Sequence, residues 1–321
     1  MFLTILTLIL IAAAIYGFIR LDCHVYLWFL NKFLMGQTYT NHMRGRVVWI
    51  TGASSGIGEY MAYEFAKIGC KLALSGTNQA RLDAVKSKCL DINSALGVGD
   101  ILVVPFDITD YIRHRACFER VLAQFKEIDL LINNAGRSQR AQFEKIDISV
   151  DEQMFRVNVF GPINLTRIVV EHWNKTNYRG QIAVTSSVAG VVAAPYSCTY
   201  SGTKFALAGY FETLRAEAYK NIKVTILCPG PVFSRILENA FTDQPGETIN
   251  QSHSPESRRM STERCANLCL TAIIHRVNVA WISLQPILTC CYLGQYLPNV
   301  MALIYTKLMT EERLASLRDG K

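Results

Sequence analysis

From Arg46 onward, short runs of branched and aromatic apolar residues alternate with segments whose apolar positions recur at helical spacing. The runs fall at residues 47–50, 71–75, 101–104, 130–132, 181–185, 223–227 and 279–282. They are nearly continuous in apolar character rather than alternating, as strands covered on both faces must be. Between the first two, Ile57, Met61, Phe65 and Ile68 recur on one helical face. This pattern predicts an α/β fold: a doubly wound, Rossmann-like parallel sheet of about seven strands over residues 46–285. Right-handed connections in such a sheet bring ligands to the carboxyl ends of the strands.

Both flanks of this body are apolar. Residues 1–19 contain no charge, and at ~1.5 Å rise per residue they are long enough as a helix to cross most of a bilayer core. A cleaved signal peptide would want a basic leading region and a shorter apolar stretch, so residues 1–20 read as a single uncleaved membrane anchor helix. Residues 25–35 are rich in Trp, Tyr and Phe and are interrupted by Lys32, which suits a linker (21–45) lying in the membrane interface. The tail (286–321) is apolar but broken by Pro286 and Pro298, which predicts short membrane-associated helices near a pocket mouth. Basic residues after the anchor favour a cytosolic catalytic domain, whereas Asn174-Lys175-Thr176 and Asn250-Gln251-Ser252 are glycosylation acceptors that keep a lumenal one open.

Composition adds limits. At 321 residues, half of them apolar and 18 % charged, the chain can bury one large domain. The net charge of +7 is dispersed, and its densest spots are Arg44/Arg46 and Arg258/Arg259. Neither makes a nucleic-acid stripe; both read as solvated surface, the first attracted weakly to anionic headgroups. The ten cysteines include no Cys-x-x-Cys pair and no Cys/His cluster, so free thiols and no metal site are expected.

The first strand runs into Thr51-Gly52-Ala53-Ser54-Ser55-Gly56-Ile57-Gly58, followed by a helix. Glycines there let the backbone approach a pyrophosphate, and the helix N-terminus offers free N–H groups. The spacing lacks the Gly-Lys-Ser/Thr of a P-loop, so a dinucleotide and not a nucleoside triphosphate is expected. The second strand ends in Ser75-Gly76-Thr77-Asn78, with no carboxylate to hold a ribose 2′-hydroxyl and no arginine immediately after it. Ser75, Thr77 and Asn78 can donate to a 2′-phosphate, and Arg81 lies a turn beyond, so NADP(H) is favoured and NAD(H) remains open.

Tyr200 and Lys204 share one helical face, and Ser187 ends the fifth strand. Interconverting a carbonyl and an alcohol needs a proton donor and acceptor at the substrate oxygen. A phenol has a reference pKa of ~10, and a neighbouring ammonium is expected to draw it toward neutrality. Ser187 can hold the substrate oxygen, and Lys204 the nicotinamide ribose.

These residues, with Asn133-Asn134-Ala135-Gly136, resemble the motif set of the short-chain dehydrogenase/reductases in order and spacing over residues 46–285. The resemblance implies a catalytic tetrad of Ser187, Tyr200, Lys204 and Asn158, with Ser187 and Tyr200 touching substrate and Asn158 holding a relay water behind Lys204. It implies cofactor contacts from Gly52, Ser54, Ser55, Gly56, Ile57, Gly58, Thr77, Asp107, Asn134, Ala135, Gly136, Tyr200 and Lys204, and from Pro229, Gly230, Val232 and Ser234 after the sixth strand. Ser234 stands where the family usually has threonine. The hydrophobic N-terminus, the 47–52 and 228–232 segments and Trp281-Ile282-Ser283-x-Gln285-Pro286 resemble a branch of the family associated with endoplasmic reticulum membranes. That resemblance implies NADPH-dependent reduction of steroid, retinoid and other lipophilic carbonyls, although relatives carry arginines at Thr77 and Asn78. A homodimer through the long helices after strands four and five is a further family expectation. Residues 188–195 are small and apolar, and residues 233–260, containing His253, read as a flap over the substrate. A membrane-bound redox sensor or scaffold that binds the cofactor without turnover is the rival reading, and it would not require the full tetrad.

Overall fold

The structure is a computed structural model that describes residues 2–35, 40–218, 221–251, 254 and 256–310. Its strands are β1 (Val47–Thr51), β2 (Lys71–Ser75), β3 (Ile101–Val103), β4 (Leu130–Asn133), β5 (Gln181–Thr185), β6 (Lys223–Pro229) and β7 (Val279–Ile282). All seven pair in parallel in the order β3-β2-β1-β4-β5-β6-β7. Every apolar run of the sequence is therefore a strand. The differences are at the ends, where β6 continues to Pro229 and β3 stops at Val103.

The helices are α1 (Phe2–Ile19), α2 (Val25–Phe29), α3 (Gly56–Lys67), α4 (Gln79–Ile92), α5 (Arg113–Phe125), α6 (Ile148–Phe155), α7 (Gly161–Thr176), α8 (Cys198–Ala218), α9 (Thr262–Ile274), α10 (Ile287–Tyr296) and α11 (Pro298–Leu308). Alternation along β1 divides the core in two. Val48 and Ile50 join Met61 and Phe65 of α3, Leu82 of α4 and Leu268 of α9 on one face. Trp49 joins Phe118 of α5, Trp173 of α7 and Phe211 of α8 on the other. Both buried indoles find acceptors: Trp49 Nε1 donates to Ser75 Oγ at 2.9 Å, and Trp173 Nε1 to the Ile128 carbonyl at 2.9 Å. Strand order reverses between β1 and β4, so the loops after them diverge and open a crevice at the carboxyl ends.

The N-terminus differs from expectation. Helix α1 is uncharged over 18 residues. At 1.5 Å per residue it reaches about 27 Å, short of the ~30 Å hydrocarbon core. No helix among the described residues is long and apolar enough to cross a membrane, so the expected spanning anchor is not supported. The 25–35 segment is also not simply interfacial. Leu27 and Leu30 are buried in the same cluster as α9. Arg264 grips Asp22 with Nε–O 2.7 Å and Nη2–O 3.2 Å, and Asn31 donates to Asn267 (3.1 Å) and Thr271 (2.7 Å). The opposite side keeps Val25, Tyr26, Phe29 and Phe33 exposed. An amphipathic stretch facing a lipid and one facing a protein carry the same composition, and only the partner α9 tells them apart.

All ten cysteines are free thiols. Arg46 of the first basic pair is tied to Asp129 at 2.7 Å. The tail does form two short helices, broken before Pro298. His253, Ser252 and residues 311–321 lie outside the described residues.

Candidate active site

The glycine turn is locked to β4 by side chains. Thr51 Oγ1 accepts from the N–H groups of Asn134 (3.0 Å) and Ala135 (3.1 Å), and Asn134 Nδ2 donates to the carbonyls of Thr51 and Gly52, both at 3.2 Å. Gly52 has φ +66°, and a Cβ there would stand 2.8 Å from Ala135 Cα. At Gly58 a Cβ would lie 2.3 Å from the Gly52 carbonyl oxygen, so this glycine allows α3 to approach the turn. Ser55 is the N-cap of α3 and makes no side-chain capping hydrogen bond. The helix's first N–H groups are therefore left to a ligand at that end.

Ser187 lies two residues past the end of β5. Its Oγ accepts from the Ala189 N–H at 3.1 Å and donates to the Pro229 carbonyl at 3.3 Å, which ties it to the end of β6. Tyr200 and Lys204 lie on the first turns of α8, with Lys204 Nζ 5.5 Å from the Tyr200 ring centroid. Lys204 is buried and donates to the Thr185 carbonyl at 2.8 Å. Burial lowers its pKa from the ordinary 10.5 to about 8. Burial likewise raises the Tyr200 phenol above its usual value, offset in part by a hydrogen bond with Ser187 and by Arg140. Burial dominates at this phenol and Lys204 is not among the groups that lower it, so the expected acidification by the ammonium is not seen.

Asn158 sits in a π-turn (Arg156–Phe160) between α6 and α7, a local irregularity that recurs at functional sites. Its Nδ2 donates to the Arg137 carbonyl (2.9 Å) and to Thr203 Oγ1 (3.0 Å), and its Oδ1 accepts from the Arg137 N–H (2.8 Å). A Cβ on Gly136 would lie 3.1 Å from Asn158 Oδ1 and 3.6 Å from Lys204 Nζ. Asn158 therefore pins the loop after β4 to α8 directly behind Lys204.

These features open on one cavity of about 1120 Å³. Of the residues expected from the sequence, Gly52, Ser54, Ser55, Gly56, Ile57, Thr77, Asp107, Asn134, Ala135, Gly136, Ser187, Tyr200, Lys204, Pro229, Gly230, Val232 and Ser234 line it. Gly58 and Asn158 stand behind the wall and act on it through packing and hydrogen bonds. A loop of glycine and small hydroxyl residues facing an uncapped helix end fits a dinucleotide pyrophosphate.

Of the groups expected at a 2′-phosphate, Ser75 lines the cavity but is buried in β2, its Oγ accepting from the Trp49 indole at 2.9 Å. Asn78 Oδ1 caps α4 by accepting from the Arg81 N–H at 3.0 Å, and Asn78 is not among the lining residues. Arg81 is not among the lining residues, which leaves Thr77 as the hydroxyl beyond β2 that faces the cavity. Asp107 Oδ1 accepts from the N–H and hydroxyl of Thr109, both at 2.8 Å.

Arg137 and Arg140, which the sequence did not foretell, line the cavity from the loop after β4. The 233–260 segment and the tail, both expected beside the substrate, contribute Arg235 and Arg259, and Ile287, Cys290, Met301 and Ile304. The second basic pair is thereby corrected: Arg258 is exposed, but Arg259 turns inward. Nothing local signals that turn.

A family description reading short chain dehydrogenase matches residues 46–245. The chain belongs to the short-chain dehydrogenase/reductase family. It is 36 % identical over 320 residues to human "Dehydrogenase/reductase SDR family member 7", covering 99 % of this chain and 93 % of that protein. It is 33 % identical to "11-beta-hydroxysteroid dehydrogenase-like 2" of Arabidopsis thaliana over 246 residues, 75 % of this chain and 76 % of that one. Among solved structures, a short-chain dehydrogenase/reductase from Burkholderia phymatum in complex with NAD aligns at TM-score 0.68 and 23 % identity, covering 80 % of this chain and 95 % of that one. An alcohol dehydrogenase from Thermococcus sibiricus complexed with 5-hydroxy-NADP aligns at TM-score 0.61 and 23 % identity, covering 71 % and 90 %. The family member described here is an NAD(P)-dependent oxidoreductase.

Proposed function

We propose that this enzyme reduces a carbonyl on a lipophilic substrate, with NADP(H) favoured over NAD(H). The observation that carries the reading is that Ser187, Tyr200 and Lys204 line the same cavity as Ile287, Met301 and Ile304 of the apolar tail. When bound, the nicotinamide supplies the hydride to the substrate carbon. Tyr200, kept protonated by burial, gives its proton to the substrate oxygen while Ser187 orients that oxygen. Lys204 holds the cofactor's ribose, and Asn158 keeps the Gly136 loop and α8 in register behind it. The cofactor preference rests on the absence of a carboxylate after β2, with Thr77 the hydroxyl that faces a 2′-phosphate.

Steroids and retinoids are the substrate classes favoured here, and the names of the hydroxysteroid dehydrogenase relatives support the first. The protein works at a membrane, in our reading the endoplasmic reticulum. Exposed Leu10, Ile11 and Ile15 on α1, Phe29 and Phe33 after it, and Leu297 and Leu303 on the tail form the apolar contacts. Phe205 and Tyr210, exposed on α8, suit the pairing of two copies.

The test is turnover of a homologous series of alkyl ketones and aldehydes with NADPH and NADH. If the tail wall takes the substrate's apolar body, kcat/KM rises with chain length by up to about fourfold per methylene. A flat series would contradict a lipophilic substrate.

A further inference from the structure

The cavity extends from the catalytic group past the glycine turn to the ends of β2 and β3. Ser187, Tyr200 and Lys204 come from the β5 and α8 side of that turn, whereas β2 and β3 stand on its other side in the sheet. A dinucleotide with its pyrophosphate on the turn and its nicotinamide beside Tyr200 therefore lays its adenosine half across the ends of β2 and β3. Thr77 and the 106–112 loop line the cavity there.

Behind that loop is a histidine that no step of the proposed reaction uses. His114, in the first turn of α5, is fully buried and is not among the lining residues, yet it touches three residues that are. Its Nε2 lies 3.1 Å from the Ile108 carbonyl oxygen. Its ring meets Phe106 and Tyr111 edge-on, with centroids 5.4 Å and 5.9 Å away. On its far side, Asn164 in the first turn of α7 brings Nδ2 to 3.0 Å from His114 Nδ1. A carbonyl only accepts, so Nε2 carries the proton, and Nδ1 of the neutral ring accepts from the Asn164 amide. Burial holds the ring neutral by lowering its pKa from the ordinary value, against smaller opposing effects of the Ile108 hydrogen bond, Asp110 and Asp107. Helix α7 closes on the same carbonyl: a Cβ on Gly161 would lie 2.5 Å from the Ile108 oxygen.

We propose that His114 is a positioning residue for the cofactor: one buried imidazole, hung from Asn164, holds Phe106, Ile108 and Tyr111 in the shape that receives the adenosine. This rests on dinucleotide binding and not on the identity of the carbonyl substrate. The ring donates at one nitrogen and accepts at the other, so it fixes the loop's carbonyl and the α7 amide at a set separation. A phenyl ring fills similar space and keeps the two aromatic contacts. It leaves the carbonyl and the amide without these partners, which is costly where water is excluded. The Phe106 N–H on the Gly76 carbonyl, at 3.0 Å, still anchors the start of the loop, so the displacement falls on residues 108–111.

The experiment uses full-length protein in detergent and measures NADPH and ADP-ribose binding by calorimetry in the wild type, His114→Phe, His114→Gln and Asn164→Leu. ADP-ribose carries the adenosine and the pyrophosphate but no nicotinamide. His114→Phe is expected to weaken both ligands about tenfold, within the range of a lost buried hydrogen bond. His114→Gln restores part of the affinity, because its amide both donates and accepts. Asn164→Leu gives a smaller loss, since the Ile108 hydrogen bond survives it. In turnover of a small aromatic aldehyde, KM for NADPH rises by the same factor in His114→Phe while kcat at saturating NADPH holds. A general loosening of the fold would not produce that split. Should His114→Phe fail to fold, the smaller losses in His114→Gln and Asn164→Leu carry the comparison. Unchanged affinity for both ligands in folded variants overturns the proposal, as does a fall in kcat with KM unmoved. Weakened binding of both ligands in a protein whose wild type reduces no carbonyl upholds it and removes the reductase reading instead.

Discussion

At Lys204, burial draws the ammonium's pKa from 10.5 down to about 8, so its charge is present below that pH and lost above it. The phenol of Tyr200 moves the other way and keeps its proton through neutrality. For carbonyl reduction both shifts set one limit, on the alkaline side. The kcat/KM for NADPH, which reports groups of the free enzyme, should therefore be level below pH ~8 and fall above it. A rate that climbs from pH 8 to 10 would contradict this assignment. Beyond β2, Thr77 is the hydroxyl left to face a 2′-phosphate, and Thr77→Arg should lower KM for NADPH several-fold with less effect on NADH. An unchanged NADPH value would place that phosphate elsewhere. Asn78, read from the sequence as a phosphate donor, is instead the N-cap of α4, the position that an asparagine between a strand and a helix favours. The inward turn of Arg259 was not readable, because it depends on Met260 bridging Val232 across a long loop.

Among the elements, the strands were the most legible, because a parallel sheet covered on both faces demands continuous apolar runs and little else produces them. The helix around Tyr200 and Lys204 was legible from spacing, and its closeness to Ser187 follows from β5 and β6 being neighbours. The N-terminal arm was read less well. Its apolar composition predicted lipid contact throughout, whereas Leu27, Leu30 and Asp22 bind it to α9. That division assigns different jobs to α1 and α2. Deleting residues 2–19 should reduce co-flotation with phospholipid vesicles about tenfold while the domain stays folded and reduces a water-soluble carbonyl. Undiminished flotation would move the membrane contact to α2 and the tail.

For the molecule as a whole, the sheet's switch point brings the glycine turn, the Asn134 brace and the Ser187–Tyr200–Lys204 group to a single cavity, and the tail closes its apolar side. The tail's part in that wall could be anticipated from its proline breaks, since short helices can fold back where one long helix cannot. The most direct measurement is oxidation of NADPH and NADH by the detergent-solubilised protein with steroid, retinoid and small aromatic carbonyls, in the wild type and in Tyr200→Phe. The account predicts carbonyl-dependent turnover that falls roughly 10²- to 10⁴-fold in the variant, with cofactor affinity retained. Turnover that survives Tyr200→Phe would contradict it.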